Sequence, residues 1–200
     1  MAIDEVLLSS GRSAILRFYR WNKPAISFGY FVNFTEACAV AGDRVMVRRW
    51  TGGGIVPHGD DLTYSIMIGS NDKTFSLSSK IVYQRVHAAL SNALREFGIP
   101  AVLTEANEPK LSEACFANPV ASDVMENGRK IAGAAQRKTR SGLLHQGSIQ
   151  RENLNEKFRS IFGKFLTKTL IVSNIGIDVM RAAQELAATK YRTTEWLRRR

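Results

Sequence analysis

Long hydrophobic runs and cysteines are both scarce in this sequence. No uninterrupted apolar run approaches the roughly 20 residues that a transmembrane helix needs, so we expect no insertion into a membrane. The first residues (MAIDEVLLSSGR) carry acidic side chains where a secretory signal peptide is basic, which favours a cytoplasmic protein. In a reducing compartment the two cysteines, Cys38 and Cys115, are not expected to form a disulfide.

The chain also lacks internal repeats, low-complexity tracts and linkers, so we expect one domain over residues 1–200. Basic residues, by contrast, are in excess: the formal net charge is +10, which indicates an acidic partner. Nucleic acid is one such partner, but no stacking motif of aromatics interleaved with Arg or Lys accompanies the basic residues. An acidic protein domain explains the charge equally well, and the charge does not separate the two.

Hydrophobic periodicity predicts a mixture of short strands and helices. The alternating segments predicted as strands are 14–19, 25–30, 44–50, 62–68 and 100–103. The segments predicted as helices are 1–9, 35–41, 77–97 and 178 to about 190. Thr35 is expected to cap the second helix, and Cys38 to be one of its buried small residues. Between residues 151 and 177 the sequence carries few signals.

The dipeptide Asn127-Gly128 predicts a β-hairpin, because a type I′ turn needs positive φ at both central residues. In the strand that follows, simple alternation places Lys130 with Ala132 and Ala134 on one face and Gly133 on the other. A strand of alanine and glycine fills a core poorly and leaves a slot that a ligand can approach. Lys130 stands at the mouth of this slot, where it is either a functional cation or a solvated surface lysine.

Two other features indicate a site. Three consecutive glycines, Gly52 to Gly54, leave bare backbone N–H groups that can face an anion, a carbonyl or a flat ligand, or else form a wide hairpin loop. Their spacing matches neither the dinucleotide fingerprint nor the phosphate loop of nucleotide hydrolases. Cys115 ends a polar segment that we expect to be a mobile loop, and it is either a nucleophile or a buried hydrophobe. A lone histidine such as His58 is typical of structural hydrogen bonding.

Taken together, these stretches resemble the family of biotin and lipoate protein ligases and lipoyl or octanoyl transferases. The segments that carry the resemblance are MAIDE at 1–5, LRFYRW at 16–21, VRRWTGGG at 47–54 with His58, DLTYS at 61–65, GRKIAG at 128–133, LHQGS at 144–148 and KYR at 190–192 with Glu195-Trp196. The resemblance implies an α/β (α+β) fold of the class II synthetase type, a mixed, largely antiparallel sheet backed by helices. In the family a strand precedes the first of these segments, so we expect the sequence to begin inside the domain.

The resemblance implies one of two chemistries. Cysteine-dependent octanoyltransferases move an acyl group from acyl carrier protein onto a thiol and then to a lysine of a lipoyl domain, without a cofactor. Lipoate ligases use ATP and Mg²⁺ to form an acyl adenylate first. Cys115-Phe116 followed by Pro119 resembles the nucleophile segment of the transferases, as does the segment HGDDLTYS at 58–65. A non-catalytic homologue that binds acyl or nucleic-acid partners is a third possibility, against which the presence of Cys115 and Lys130 argues.

Site residues follow from the same resemblance. Cys115 is implied as the nucleophile, and Lys130 as the cation that favours the thiolate and stabilises negative charge on the acyl carbonyl. The residues implied to bind substrate are Arg49, Gly52, Gly53, Gly54, His58, Gly133, Ala134 and His145, and no metal site is expected in a transferase. The implied partners are acyl carrier protein and the lipoyl domains of 2-oxoacid dehydrogenases or the glycine cleavage H protein. These partners are acidic, which accounts for the net charge without nucleic acid.

Overall fold

The computed structural model describes residues 1–11, 14–105 and 120–199. The strands of the described part are β1 (Ile15–Tyr19), β2 (Ala25–Phe28), β3 (Val45–Arg48), β4 (Ile55–His58), β5 (Leu62–Gly69), β6 (Ala101–Leu103), β7 (Val124–Glu126), β8 (Arg129–Lys138) and β9 (Gly142–Ile149). The helices are α1 (Ala2–Ser9), α2 (Phe34–Ala41), α3 (Ser79–Glu96), α4 (Glu156–Leu166), α5 (Ile177–Leu186) and α6 (Thr194–Leu197). A 3₁₀ turn (Lys73–Ser76) precedes α3, and a π-helical turn (Ala187–Tyr191) extends α5.

The larger sheet has the strand order β1-β5-β9-β8-β7-β6, and every neighbouring pair is antiparallel. Helices α3 and α4 pack over it and enclose the main core. All of β5 and β9 is buried, so the alternation predicted for residues 62–68 does not appear as alternating exposure. Strands covered on both faces have no solvent-exposed side, so the polar Thr63 and Ser65 of β5 are buried as well.

A second sheet of three strands has the order β3-β2-β4, with β2 parallel to β3 and antiparallel to β4. Residues 44–50 and 55–58 therefore flank β2 and do not form a hairpin around the three glycines. The prediction of a mixed, largely antiparallel α/β fold backed by helices is confirmed. Within the described ranges, no helix is long and apolar enough to cross a membrane.

The predicted hairpin is present, with φ of 49° at Asn127 and 75° at Gly128 between β7 and β8. The predicted faces of β8 are wrong near its start. Met125 pairs with Lys130 while Val124 pairs with Ala132, so β8 carries one extra residue at Ile131. A β-bulge of this kind interrupts the alternation of side chains, and Lys130 consequently lies beside Gly133 and not with Ala132.

Two further expectations are corrected at α2. Its N-cap is Asn33, whose side chain accepts a hydrogen bond from the backbone N–H of Thr35. Cys38 is exposed, because the helix turns Ala37 and Ala41 toward the core. The helix is capped two residues earlier than expected, and its buried face includes Ala37 in place of Cys38. A helix of eight residues has too few turns for its hydrophobic pattern to fix either feature.

Helix α4 was not predicted from sequence, although residues 155–166 contain its signals. The side chain of Asn155 caps its N-terminus, and Phe158, Ile161 and Phe162 form a buried stripe against the main core. The last helix predicted from the sequence is present as α5, which begins at Ile177. Trp196 and Leu197 pack against the rest of the chain as predicted.

Candidate active site

A cavity with about 420 Å³ of empty space, including its open mouth, is lined by strands of both sheets. The large sheet contributes Gly133 to Ala135 of β8 and Gln146 to Ser148 of β9. The small sheet contributes Ser27 of β2 and Val56 and His58 of β4. The residues that β8 contributes to its wall are glycine and alanine, whose small side chains leave the backbone open to the cavity.

One end of this cavity carries a chain of hydrogen bonds. Asp61 Oδ2 accepts a hydrogen bond from His58 Nδ1 at 2.8 Å, and His58 Nε2 lies 2.6 Å from Ser27 Oγ. Burial lowers the pKa of His58 although Asp61 acts to raise it, so the ring is neutral at pH 7. Its proton therefore sits on Nδ1, and Ser27 donates its hydroxyl proton to Nε2.

Further partners hold these groups in place. Burial acts to raise the pKa of Asp61, but the hydrogen bonds from His58 and Ser148 hold it below its ordinary value. The ring of Trp21 stacks on His58 with centroids 4.2 Å apart. Arg49 Nη1 donates to Ser27 Oγ at 2.8 Å. These contacts restrain His58, Asp61 and Ser27 at this end of the cavity.

The triple glycine contributes carbonyl oxygens to this arrangement. Arg49 Nη2 donates to the carbonyl oxygens of Gly52 and Gly54 at 3.0 and 2.8 Å. Arg49, His58, Gly133 and Ala134 line the cavity, whereas Gly52, Gly53 and Gly54 are not among its described lining residues. The loop they form orients Arg49.

Another buried carboxylate, that of Asp4, was not predicted from the sequence; it is not among the described lining residues but contacts one of them, Gln146. Asp4 accepts hydrogen bonds from Arg17, Ser65 and Gln146 at 2.7 to 2.8 Å. Gln146 in turn accepts from Thr51 Oγ1 at 2.9 Å, so its amide is fixed in the cavity wall. Asp4 belongs to the motif at residues 1–5, which was the available signal, whereas its burial follows from tertiary packing.

Lys130 is a buried cation that lies against the cavity-lining residue Gly133, although Lys130 is not itself among the described lining residues. Its side chain is 2% exposed, and Nζ lies 2.7 Å from Asp123 Oδ2. A Cβ built on Gly133 would lie 2.6 Å from Lys130 Cε and 2.9 Å from Nζ, so the ammonium lies directly over the α-carbon of a cavity-lining residue. These contacts exclude the solvated surface lysine. Asp123 and Tyr83, which meet here, were not predicted, because an isolated aspartate and a tyrosine on a core helix carry no local signal.

His145 lies away from the described cavity lining. It is fully buried, with Nε2 3.3 Å from the hydroxyl of Tyr64 and Nδ1 2.9 Å from the side-chain amide of Gln136. Burial lowers the pKa of His145 well below its ordinary value, so it stays neutral in an aromatic cluster with Tyr83 and His87. This position is that of a core histidine.

Cys115, the predicted nucleophile, lies outside the described residues. Within the described ranges, no group of three or more His, Cys, Asp or Glu side chains could hold a metal ion. The described arrangement combines an apolar cavity with a fixed cation at its wall. Such a pair can hold an apolar chain and stabilise negative charge on an oxygen next to it.

Curated relatives of this chain include octanoyltransferases. The chain is 37% identical to octanoyltransferase LipM of Oceanobacillus iheyensis over 160 residues, which are 74% of this chain and 58% of the relative. It is 35% identical to octanoyltransferase LipM of Symbiobacterium thermophilum over 164 residues, 74% of this chain and 59% of the relative. The chain thus spans about three fifths of the length of these curated relatives.

Solved structures share the fold. Lipoate-protein ligase A bound with ATP superposes with a TM-score of 0.79 at 23% identity, over 98% of this chain and 91% of that one. A bi-partite lipoate protein ligase of Thermoplasma acidophilum, solved in a study with its E2 lipoyl domain, gives a TM-score of 0.73 at 23% identity, over 98% and 89%. The family model described as the lipoyl protein ligase A/B catalytic domain matches residues 1–187. The chain belongs to the lipoyl protein ligase A/B catalytic domain family.

Proposed function

We propose that this chain is the catalytic part of an octanoyltransferase that moves an octanoyl group from acyl carrier protein to a lysine of a lipoyl domain. The observation that carries the proposal is the position of Lys130, whose ammonium is held against the α-carbon of Gly133 at the wall of the cavity. The curated relatives, which are octanoyltransferases, support this choice of acyl group.

The cavity is suited to an acyl chain. Small and apolar groups of β8 and β4 form much of its wall, and each methylene buried there contributes roughly 0.8 kcal/mol. A chain of eight carbons thereby gains several kcal/mol of binding free energy. The acyl carbonyl would then lie toward Lys130, which stabilises the oxyanion of each tetrahedral intermediate.

We propose that Cys115 is the nucleophile of two successive acyl transfers. Its thiolate bonds to the acyl carbon while the carbon–sulfur bond to the carrier breaks, and the carrier thiolate leaves and takes up a proton. The neutral amine of the acceptor lysine then bonds to the same carbon. Cys115 leaves as a thiolate, and the amine proton passes to solvent. Neither transfer requires ATP or Mg²⁺.

The charge of the chain fits acidic partners. With a net charge of +10, an acidic carrier and an acidic lipoyl domain are both drawn toward it over a Debye length of about 8 Å at physiological salt. Partners of this kind are acyl carrier protein and the lipoyl domains of 2-oxoacid dehydrogenases or the glycine cleavage H protein.

Mass spectrometry tests the nucleophile. After incubation with octanoyl-acyl carrier protein, wild-type protein should carry one octanoyl adduct that hydroxylamine removes, and peptide mapping should place it on Cys115. Cys115→Ser should carry none, whereas Cys38→Ser, a matched control at the exposed cysteine, should be modified like wild type. An adduct that persists on Cys115→Ser, or no adduct on wild type, would contradict the proposal.

A further inference from the structure

The carboxylate of Asp123 is fully buried and surrounded by donors. Its Oδ2 lies 2.7 Å from Lys130 Nζ and accepts a hydrogen bond from the backbone N–H of Val120 at 2.8 Å. Its Oδ1 accepts a hydrogen bond from the hydroxyl of Tyr83 at 2.5 Å. A buried carboxylate is stable only with such partners, so each of them also restrains where Asp123 can sit.

Tyr83 connects this carboxylate to helix α3 and to the cavity wall. Burial, and after it the charge of Asp123, raise the pKa of Tyr83, so its hydroxyl stays protonated and donates to Asp123. The same oxygen accepts a hydrogen bond from the backbone N–H of Ala134 at 3.2 Å. Tyr83 therefore fixes Asp123 relative to β8, the strand that lines the cavity.

Two features of β8 direct Lys130 toward Asp123. The bulge at Ile131 places Lys130 on the face of Gly133. The missing side chain of Gly133 leaves room for the end of the lysine, which a Cβ would approach to 2.6 Å. Without a fixed counter-charge, a flexible lysine could occupy several rotamers in this space. Asp123 selects one of them.

We propose that Asp123 is a positioning residue for acyl transfer, which holds the ammonium of Lys130 at the cavity wall, and that Tyr83 positions Asp123. This inference rests on the proposed function, in which Lys130 stabilises the oxyanion. A misplacement of about 1 Å at such a group costs up to about a hundredfold in rate. Loss of the carboxylate should therefore lower turnover and leave binding of the acyl chain in place.

The variants Asp123→Asn and Tyr83→Phe test this in steady-state octanoyl transfer by the full chain. We expect Asp123→Asn to lower kcat about tenfold or more, with KM for the octanoyl donor changed less than about twofold, and Tyr83→Phe to have a smaller effect of the same kind. Tyr191→Phe is the matched control, because it also removes a tyrosine hydroxyl that donates to a carboxylate, here that of Glu5, but Tyr191 lies outside the described cavity lining. It should keep wild-type turnover.

A double-mutant cycle separates positioning from a general structural role. In the background of Lys130→Met, Asp123→Asn should lower the residual rate no further, because there is no ammonium left to position. An equal fall in both backgrounds, or wild-type kcat in Asp123→Asn, would overturn the inference. If Asp123→Asn fails to fold, the same comparison is made with Tyr83→Phe, which removes no charge.

Failure of the inference and failure of the proposed function give different results. Normal kcat in Asp123→Asn together with a large loss in Lys130→Met would overturn the positioning role alone. Normal kcat in Lys130→Met would overturn the catalytic role of Lys130, and the positioning role with it.

Discussion

At the scale of single residues, Lys130 and Asp123 form an ion pair that is removed from water on both sides. Breaking such a pair costs about 3–5 kcal/mol, because it leaves one uncompensated buried charge. Lys130→Ala should therefore destabilise the fold by about that amount. The double variant Lys130→Met with Asp123→Asn should be clearly more stable, since neither charge remains.

Urea unfolding at pH 7 measures this difference. The matched control is Lys190→Met, which breaks a partly exposed pair with Glu5 and should cost less than Lys130→Ala because water screens the remaining charge. If Lys130→Ala loses less than about 0.5 kcal/mol, as an exposed lysine would, the buried pair does not exist in solution.

Gly133 gives a second prediction at this scale. Gly133→Ala would place a methyl group 2.6 Å from Lys130 Cε, so the end of the lysine must move away from the cavity wall. We expect octanoyl transfer to fall about tenfold or more, with a smaller effect on the melting temperature, since the atoms that move end a flexible side chain. Gly59→Ala, where an added Cβ meets nothing within 4 Å, should leave both unchanged. Wild-type turnover in Gly133→Ala would show that the position of Lys130 does not matter.

At the scale of elements, local sequence predicted the hairpin and the long helix but not their relation to the site. The Asn127-Gly128 turn and the stripe of α3 depend on neighbouring residues and could therefore be predicted. The bulge at Ile131 depends on how β7 pairs with β8, which no local pattern encodes. That one residue decides which face carries Lys130, so the sequence identified the lysine but not its surroundings.

Helix α4 differs from the bulge, because the sequence of residues 155–166 does contain local signals for it, the capping residue Asn155 and an apolar stripe. Its contribution can be measured: Phe162 is fully buried against Phe18 and Tyr64, so Phe162→Ala should destabilise the protein by about 3–5 kcal/mol. Phe165, on the same helix, is 42% exposed, and Phe165→Ala should cost less than about 1 kcal/mol. Equal losses in thermal or urea unfolding would mean that α4 does not pack as described.

At the scale of the whole molecule, the sequence did not predict the contacts that hold residues 196–199 against strand β3 of the small sheet. Arg48 is fully buried and donates to the carbonyl oxygens of Val32, Leu197 and Arg199 at 2.8 to 3.0 Å. Trp196 Nε1 returns a hydrogen bond to the carbonyl of Arg48 at 3.1 Å. The contacts of Arg48 with Trp196, Leu197 and Arg199 join residues about 150 positions apart. The motif that contains Arg48 indicated a binding site, whereas this arginine has a structural role.

The three histidines make the stability of the molecule depend on pH. Burial lowers the pKa of all three, that of His87 to about 4. Their unfolded pKa is about 6.5, so the unfolded state binds more protons between the two values. Their contribution is fully present above pH 6.5 and is lost as the pH falls, by about 3 kcal/mol for His87 alone at pH 4.

Urea unfolding at pH 7, 5.5 and 4.5 should show this loss, and His87→Gln should reduce it by removing one titrating group. Stability that is constant over this range, or that rises as the pH falls, would contradict the buried neutral state of these rings.

Transfer to an acceptor tests the central claim most directly. Purified protein is mixed with octanoyl-acyl carrier protein and a lipoyl domain, without ATP, and the mass of the lipoyl domain is followed. We predict one octanoyl group on its lysine, with the rate lowered about a hundredfold or more by Lys130→Met. A lipoyl domain that is modified only when ATP and a free fatty or lipoic acid are supplied would show a ligase instead, and one that is never modified would show that this chain does not catalyse the transfer.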